Sequence, residues 1–426
     1  MQRLTSALIT FFVSTVPLSP LVAQTVIRGP YLQVGTSTGV TIRWRTDTAT
    51  ASTVHYGSSP KALTQSSGSR PLTTEHEVTL MGLSPKSRYY YSVEGATSTA
   101  TAYPFSTYPA DEKTPLRAWV LGDPGISGKL EKGEDPGQAA VRDSFLKVVP
   151  ADSLDLMLLL GDNTYYKGTD IEYQRGVFDF YKSTIRSLVM WPTQGNHDNT
   201  DKAYYHVFTL PERGEAGGIA SGTERYYSFN FSNTHFIVLN SEIDDAPFRT
   251  AMLEWLKRDL AANKRTWTVV TWHHPPHTKG THDSDDVAKE GTNMLWMREN
   301  VNPIIELAGV DLVLSGHSHN YERTALIDGF YGVSSSFGPQ YIKQAGLGNP
   351  REGAAYQKQR SKPDSGTVYV VAGNAGFVEE CPLNHPAMVE SHYRLGSLLL
   401  EANDSTLSVS LYGITGQVED HFTITK

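Results

Sequence analysis

The stretch "GVDLVLSGHSHNYER", residues 309–323, joins an apolar run of strand length to two histidines set one residue apart. A strand alternates its side chains between faces, so His317 and His319 are expected to point the same way while the chain stays extended. An isolated H-x-H is most often a loop with two solvated histidines. In this chain the arrangement recurs: Asp123 follows "AWVLG", Asp162 follows "LMLLLG", Asn196 and His197 follow "WPTQG", and His273 follows "TVVTW". Open α/β sheets place ligand sites beyond the carboxyl ends of their strands, which puts all of these residues on one expected rim.

Between the apolar runs, "AAVRDSFLKVV" and "FRTAMLEWLKRDLAAN" carry apolar residues at helical spacing. The alternation predicts an α/β layered domain of αββα type over residues 109–426. Before it, short alternating runs at residues 40–46, 52–57, 76–83 and 88–95 have the spacing of an antiparallel sandwich, predicted over residues 25–108. "LSPKSRYYYSV", with Leu83, Pro85, Tyr89 and Tyr91, resembles the corner before a late strand of fibronectin type III domains. "YPADEKTP", residues 108–115, reads as the linker, and residues 331–366 as a polar surface excursion bordering the site.

Residues 1–24 have Arg3, then an apolar stretch, then small residues ending at Ala23, the pattern of a secretory signal peptide too short and interrupted to span a bilayer. A secreted protein, periplasmic or extracellular, is therefore expected, with no membrane span. The formal net charge of −8 argues against general nucleic-acid binding, which needs a cationic surface. Cys381 is the single cysteine, so no internal disulfide can form and no thiol chemistry is expected.

Carboxylates, an amide and several imidazoles without a thiolate select a first-row divalent or trivalent metal rather than calcium, which takes oxygen donors alone. The set is too large for one four-coordinate zinc and suits two metals sharing a carboxylate.

Taken in order, "GDPG", "GDNTYY", "GNHD", "VTWH" and "GHSH" resemble the five blocks of the metallophosphoesterases. The tyrosine three residues after Asp162 narrows the resemblance to purple acid phosphatases, and "HHPP" with "GTHDSD" gives the look of a bacterial secreted branch. The resemblance implies that Asp123, Asp162, Tyr165 and His319 hold one metal. Asp162 would bridge to a second held by Asn196, His273 and His317, with Fe(III) beside a divalent iron, zinc or manganese. His197, next to Asn196, is the expected proton donor, oriented by Asp198. His282 sits where a histidine of the plant enzymes approaches substrate, His277 and Lys279 read as solvated loop, and Arg323 of "NYER" is expected to be structural.

The implied activity is hydrolysis of small-molecule phosphate monoesters by a metal-activated water. A phosphodiesterase or nucleotide-cleaving enzyme shares the same core and is the nearest rival; preference for bis(p-nitrophenyl) phosphate would identify it. A rival of another class is a binding module with a structural metal centre, whose N-terminal domain contacts a surface or polysaccharide. The "HD" pair beside Asn196 speaks against it, because a structural site has no use for an adjoining acid–base residue.

Overall fold

A strand covered on both faces has no room for polar residues, whereas one at a surface alternates. The computed structural model describes residues 24–95, 102–125, 137–199, 202–242, 245–360 and 362–426, and shows both kinds. Apart from Gln24, the expected signal peptide lies outside the described residues. The N-terminal unit is built from β1 (Val26–Gln33), β2 (Gly39–Gly57), β3 (Gln65–Met81), β4 (Arg88–Val93) and β5 (Tyr103–Ser106). Residues 40–46 and 52–57, expected as separate strands, belong to one. The pairing of β2 with β3 shifts register between Arg45 and Ser52 and then resumes, so the polar stretch between them bends the strand without ending it. On its other edge β2 pairs first with β1 and then with β4. The Tyr89 hydroxyl accepts the Ser84 N–H at 3.0 Å, which closes the turn before β4.

In the second unit β6 (Leu116–Leu121), β7 (Leu156–Leu159) and β8 (Val189–Pro192) lie parallel. A facing sheet is formed by β9 (Tyr227–Phe231), β10 (Thr234–Val238), β11 (Trp267–Thr271), β12 (Leu312–Ser315) and β13 (Tyr321–Thr324). After the small pair β14 (Leu326–Ile327) and β15 (Ile342–Gln344) come β16 (Tyr356–Gln357), β17 (Val368–Ala372) and β18 (Met388–His392). The chain closes with the meander β19 (Gly396–Ala402), β20 (Thr406–Gly413) and β21 (Val418–Thr425). The first sheet runs β16-β21-β20-β19-β6-β7-β8 and continues through β1 into the N-terminal unit; the second runs β18-β13-β17-β12-β11-β10-β9.

Period-two alternation sorts the second sheet. Phe236, Val269, Leu312, Leu314, Val368 and Val370 face the first sheet, while Ile237, Val270, Val313 and Tyr369 meet Met252, Trp255 and Leu256 of the helix Ala246–Ala262. On the outer side of the first sheet Trp119 stacks on Phe145 of the helix Gln138–Val148 at 4.9 Å. These two layers of helix enclosing two sheets are the expected αββα order, and they bring the carboxyl ends of β6, β7, β8, β11 and β12 to one rim.

Residues 108–115 carry no regular structure, yet Tyr108 is buried, packs on Phe231 and accepts the Trp191 indole N–H at 2.9 Å. The excursion after Tyr331 is fastened at Lys358, whose buried ammonium meets Asp311 at 3.1 Å and the Val310 carbonyl at 2.7 Å. Arg323 of β13 reaches Asp420 of β21 through two bonds, 2.6 and 2.8 Å, so this ion pair ties one sheet to the other. Burial opposes the Asp420 charge, but the Arg323 guanidinium outweighs it and holds the carboxyl below its ordinary range. Arg323→Ala would leave that buried carboxylate without its cation, and a loss of about 3–5 kcal/mol is expected from urea denaturation.

Candidate metal centre

The first structural feature of the rim is its backbone. Asp123, Asp162 and His317 have φ of 55°, 47° and 68°, in the left-handed region that residues with a side chain seldom occupy. Each follows a glycine just past a strand, and the reversal turns its side chain back over the sheet end. His317 and His319 therefore do not reach the site by strand alternation: β12 stops at Ser315, and the turn at His317 sends the two rings to different ends of the cluster. The preceding glycines are required by space. A Cβ on Gly316 would stand 2.3 Å from Asp123 Oδ2, and one on Gly161 2.4 Å from His273 Nδ1.

At one end of the cluster, the buried Tyr165 hydroxyl donates to Asp123 Oδ1 at 3.1 Å and lies 3.3 Å from His319 Nε2. Of the adjacent tyrosines it is Tyr165, 4% exposed, that turns inward; Tyr166 is 43% exposed. Burial, followed by the charges of Asp123 and Asp162, pushes the Tyr165 phenol well above its usual range. At the other end, Asn196 Oδ1 lies 3.0 Å from His273 Nε2 and 2.9 Å from His317 Nδ1. Asp162 joins the two, with its Oδ1 3.4 Å from His273 Nε2 and ligand atoms of Asp123, Asp162 and His273 all within 4.8 Å of one another.

This donor set fits a cation. His273 Nδ1 stands 2.9 Å from the Leu160 carbonyl, which only accepts, so that nitrogen carries the proton and Nε2 presents a lone pair. The lone pair faces two further acceptors, Asn196 Oδ1 and Asp162 Oδ1. Either a second proton or a metal ion must lie among them. Burial disfavours charge on His273, but Asp162 and Asp123 outweigh it and raise its pKa to about 10. The backbone carbonyl fixes the ring as such partners fix metal-ligating histidines.

Two further histidines flank the cluster. His197 is 32% exposed; its Nδ1 lies 2.8 Å from the Tyr166 carbonyl and its Nε2 4.0 Å from Asp162 Oδ2. His282 stacks on His317 at 4.0 Å between ring centres and is held through Nδ1 by Glu290 Oε2 at 2.5 Å.

Asp198 does not orient His197, contrary to the reading of the sequence. Its buried carboxylate points away from the imidazole and accepts the N–H groups of Asn163 and Gly195, the Asn163 amide at 2.8 Å and the Tyr173 hydroxyl at 2.6 Å. It binds the loop after β7 to the loop after β8 and so spaces Asp162 from Asn196. His277, expected in a solvated loop, is buried against Phe330 and Tyr369, and Lys279 is paired with Asp283 at 2.7 Å. The sequence reading missed Glu290, which lies eight residues beyond its partner without a local signature. It also missed Phe377, whose ring covers His319 at 3.8 Å.

Residues 116–321 match the calcineurin-like phosphoesterase family model, and residues 27–107 match the purple acid phosphatase N-terminal domain. Probable purple acid phosphatase 20 of Arabidopsis thaliana is 28% identical over 68% of this chain and 64% of its own length. Purple acid phosphatase 15 of the same plant is 28% identical over 64% of this chain and 53% of its own length. The matched region thus spans less than two thirds of either relative. Among solved structures, a purple acid phosphatase from yellow lupin seeds superposes with a TM-score of 0.69 at 18% identity, covering 95% of this chain and 74% of that one. PhoD superposes at 0.65 with 12% identity, covering 96% of this chain and 92% of that one.

The close approach at Gly316 yields a test of the cluster. Gly316→Ala is expected to displace Asp123 and to cut the metal content of the purified protein to less than about half that of the parent, read by elemental analysis, while the circular dichroism spectrum stays unchanged.

Proposed function

Since the chain joins a purple acid phosphatase N-terminal domain to a calcineurin-like phosphoesterase domain, we propose that it is a secreted dinuclear metallohydrolase of small phosphate monoesters. The observation that carries this reading is that the two donor groups touch through Asp162 and set lone pairs against lone pairs. Asp123, Asp162, Tyr165 and His319 would hold a ferric ion; Asp162, Asn196, His273 and His317 would hold a divalent iron, zinc or manganese. Phenolate and carboxylates are hard anionic donors, and the amide and imidazoles are neutral, which favours this division. When bound, the pair supplies the positive charge that grips the phosphate and acidifies the attacking water. The sequence of residues 1–24 supports export.

The chain's own residues do the rest. His197 has Nδ1 committed to the Tyr166 carbonyl, which leaves Nε2 at the rim as the atom that hands a proton to the departing oxygen. His282, on the opposite flank, is placed to donate to a phosphate oxygen. Burial lowers its pKa, and the Glu290 carboxylate opposes that shift. Phe377, packed on His319, keeps bulk water from one side of the cluster.

The first test is the visible absorption spectrum of the metal-quantified protein beside Tyr165→Phe. A broad purple band that disappears in the variant, with the divalent ion retained, is the expected outcome. A band that survives in Tyr165→Phe refutes the ferric assignment. His197→Ala is expected to keep its metals and lose roughly two to four orders of magnitude in kcat for glycerol phosphate, whose alkoxide leaving group needs the proton, and far less for p-nitrophenyl phosphate. Faster hydrolysis of bis(p-nitrophenyl) phosphate than of the monoester would move the assignment to a phosphodiesterase.

A further inference from the structure

Like His273, His197 is held at Nδ1 by a backbone carbonyl, but its carbonyl does not come from a residue directly following a sheet strand, as that of Leu160 does after β7. Among the described residues no carboxylate is bonded to its Nδ1. Its direction is set by one backbone carbonyl, that of Tyr166, and Tyr166 lies in a loop that belongs to no strand. That loop has its own brace. Glu172 accepts the N–H groups of Tyr166 at 2.7 Å, Lys167 at 3.2 Å and Thr169 at 2.8 Å, together with the Thr169 hydroxyl at 2.8 Å. Thr169 caps the turn of helix Asp170–Tyr173 and closes a reciprocal capping box with Glu172. Gly168 in the same loop leaves no space for a side chain, since a Cβ there would stand 2.7 Å from the His197 carbonyl.

The first residue of that helical turn is gripped from the N-terminal unit. Asp170 receives both terminal nitrogens of Arg28, each at 2.9 Å, and both of Arg45, at 2.6 and 2.7 Å. Arg28 also donates to the Asp170 carbonyl at 3.1 Å and to Gln174 at 2.6 Å. Two planar guanidinium forks on one carboxylate fix position and angle together, which a single ammonium does not do. Burial opposes the Asp170 charge, and the bonds from Arg45 and Arg28 overcome it.

We propose that the N-terminal domain positions His197: Arg28 and Arg45 fix Asp170, the turn so fixed carries Glu172, Glu172 sets the Tyr166 loop, and the Tyr166 carbonyl aims the imidazole. Arg28, Arg45, Asp170 and Glu172 are then positioning residues, with no contact to substrate. The inference rests on His197 as the proton donor to the leaving group. It goes beyond that reading by giving the N-terminal domain a part in proton transfer to the leaving group.

The test compares two substrates with the metal-loaded full chain. p-Nitrophenyl phosphate releases an acidic phenol that needs little help from a proton donor, whereas glycerol phosphate releases an alkoxide that needs it fully. Arg45→Gln removes one fork while Arg28 still pairs with Asp170, and Glu172→Gln weakens the brace without touching the interface. Both are expected to lose about tenfold or more in kcat on glycerol phosphate and less than about threefold on p-nitrophenyl phosphate, with metal content and visible band unchanged. Arg45→Lys should recover part of the loss.

Equal losses on both substrates would mean a merely structural interface and overturn the inference. So would a parental Arg45→Gln beside a selective Glu172→Gln, because the loop would then act without the N-terminal domain. His197→Ala separates this failure from that of the underlying reading. If its own loss is the same for both substrates, His197 is not the donor and both ideas fall together.

Discussion

The rim is governed by a shortage of positive charge. Two buried carboxylates, a buried phenol and three imidazoles meet within a few ångströms, and among the described residues no lysine or arginine reaches them. Such a group of acceptors is repulsive unless a cation lies among them. The fold supplies the restraint that keeps them together: left-handed turns at Asp123, Asp162 and His317, glycines with no room for a methyl group, and the Leu160 carbonyl that fixes the tautomer of His273. These devices are costs of local backbone and packing that a loop free to relax would shed. They persist because the two sheets behind them are apolar on both faces and closely packed.

How much of this could be read from the sequence depended on whether a feature is periodic or merely adjacent. The apolar runs ending in Gly-Asp or Gly-His announced strands and a rim, and the order of the blocks placed seven donor residues that the structure brings together. Direction was harder. His317 and His319 were expected on one face of a strand, but one left-handed residue after Ser315 decides otherwise, and no spacing rule encodes it. The join between residues 46 and 52 looked like two strands because the stretch is polar; pairing with β3 carries the strand across. The meander Gly396–Thr425 was left unassigned, although it completes the first sheet.

Asp198 shows the limit of adjacency most clearly. In sequence it follows His197 and suggests the familiar carboxylate behind an imidazole. In space the 3-10 turn at His197–Asn199 sends neighbouring side chains in opposite directions, and the acid becomes a knot between two loops. The support for His197 comes from Tyr166, and through it from Glu172. Thr169 and Glu172 close a capping box in the structure, a pair that the reading of the sequence did not single out. That the cap also braces the loop carrying Tyr165 could be seen only once the chain had folded back on itself.

The pairing of Leu32 in β1 with Val189 in β8 gives the chain a property that its domain pattern hides. A boundary near residues 108–115 looks like a place where a gene could be cut and its halves shuffled. Cut there, the larger half would present β8 as a bare edge, with its backbone groups unpaired and the surfaces under Tyr31, Tyr91 and Tyr108 open to water. A larger half made by itself would need some other cover for that edge, and recombination at this boundary would be a route to aggregation rather than to new architectures.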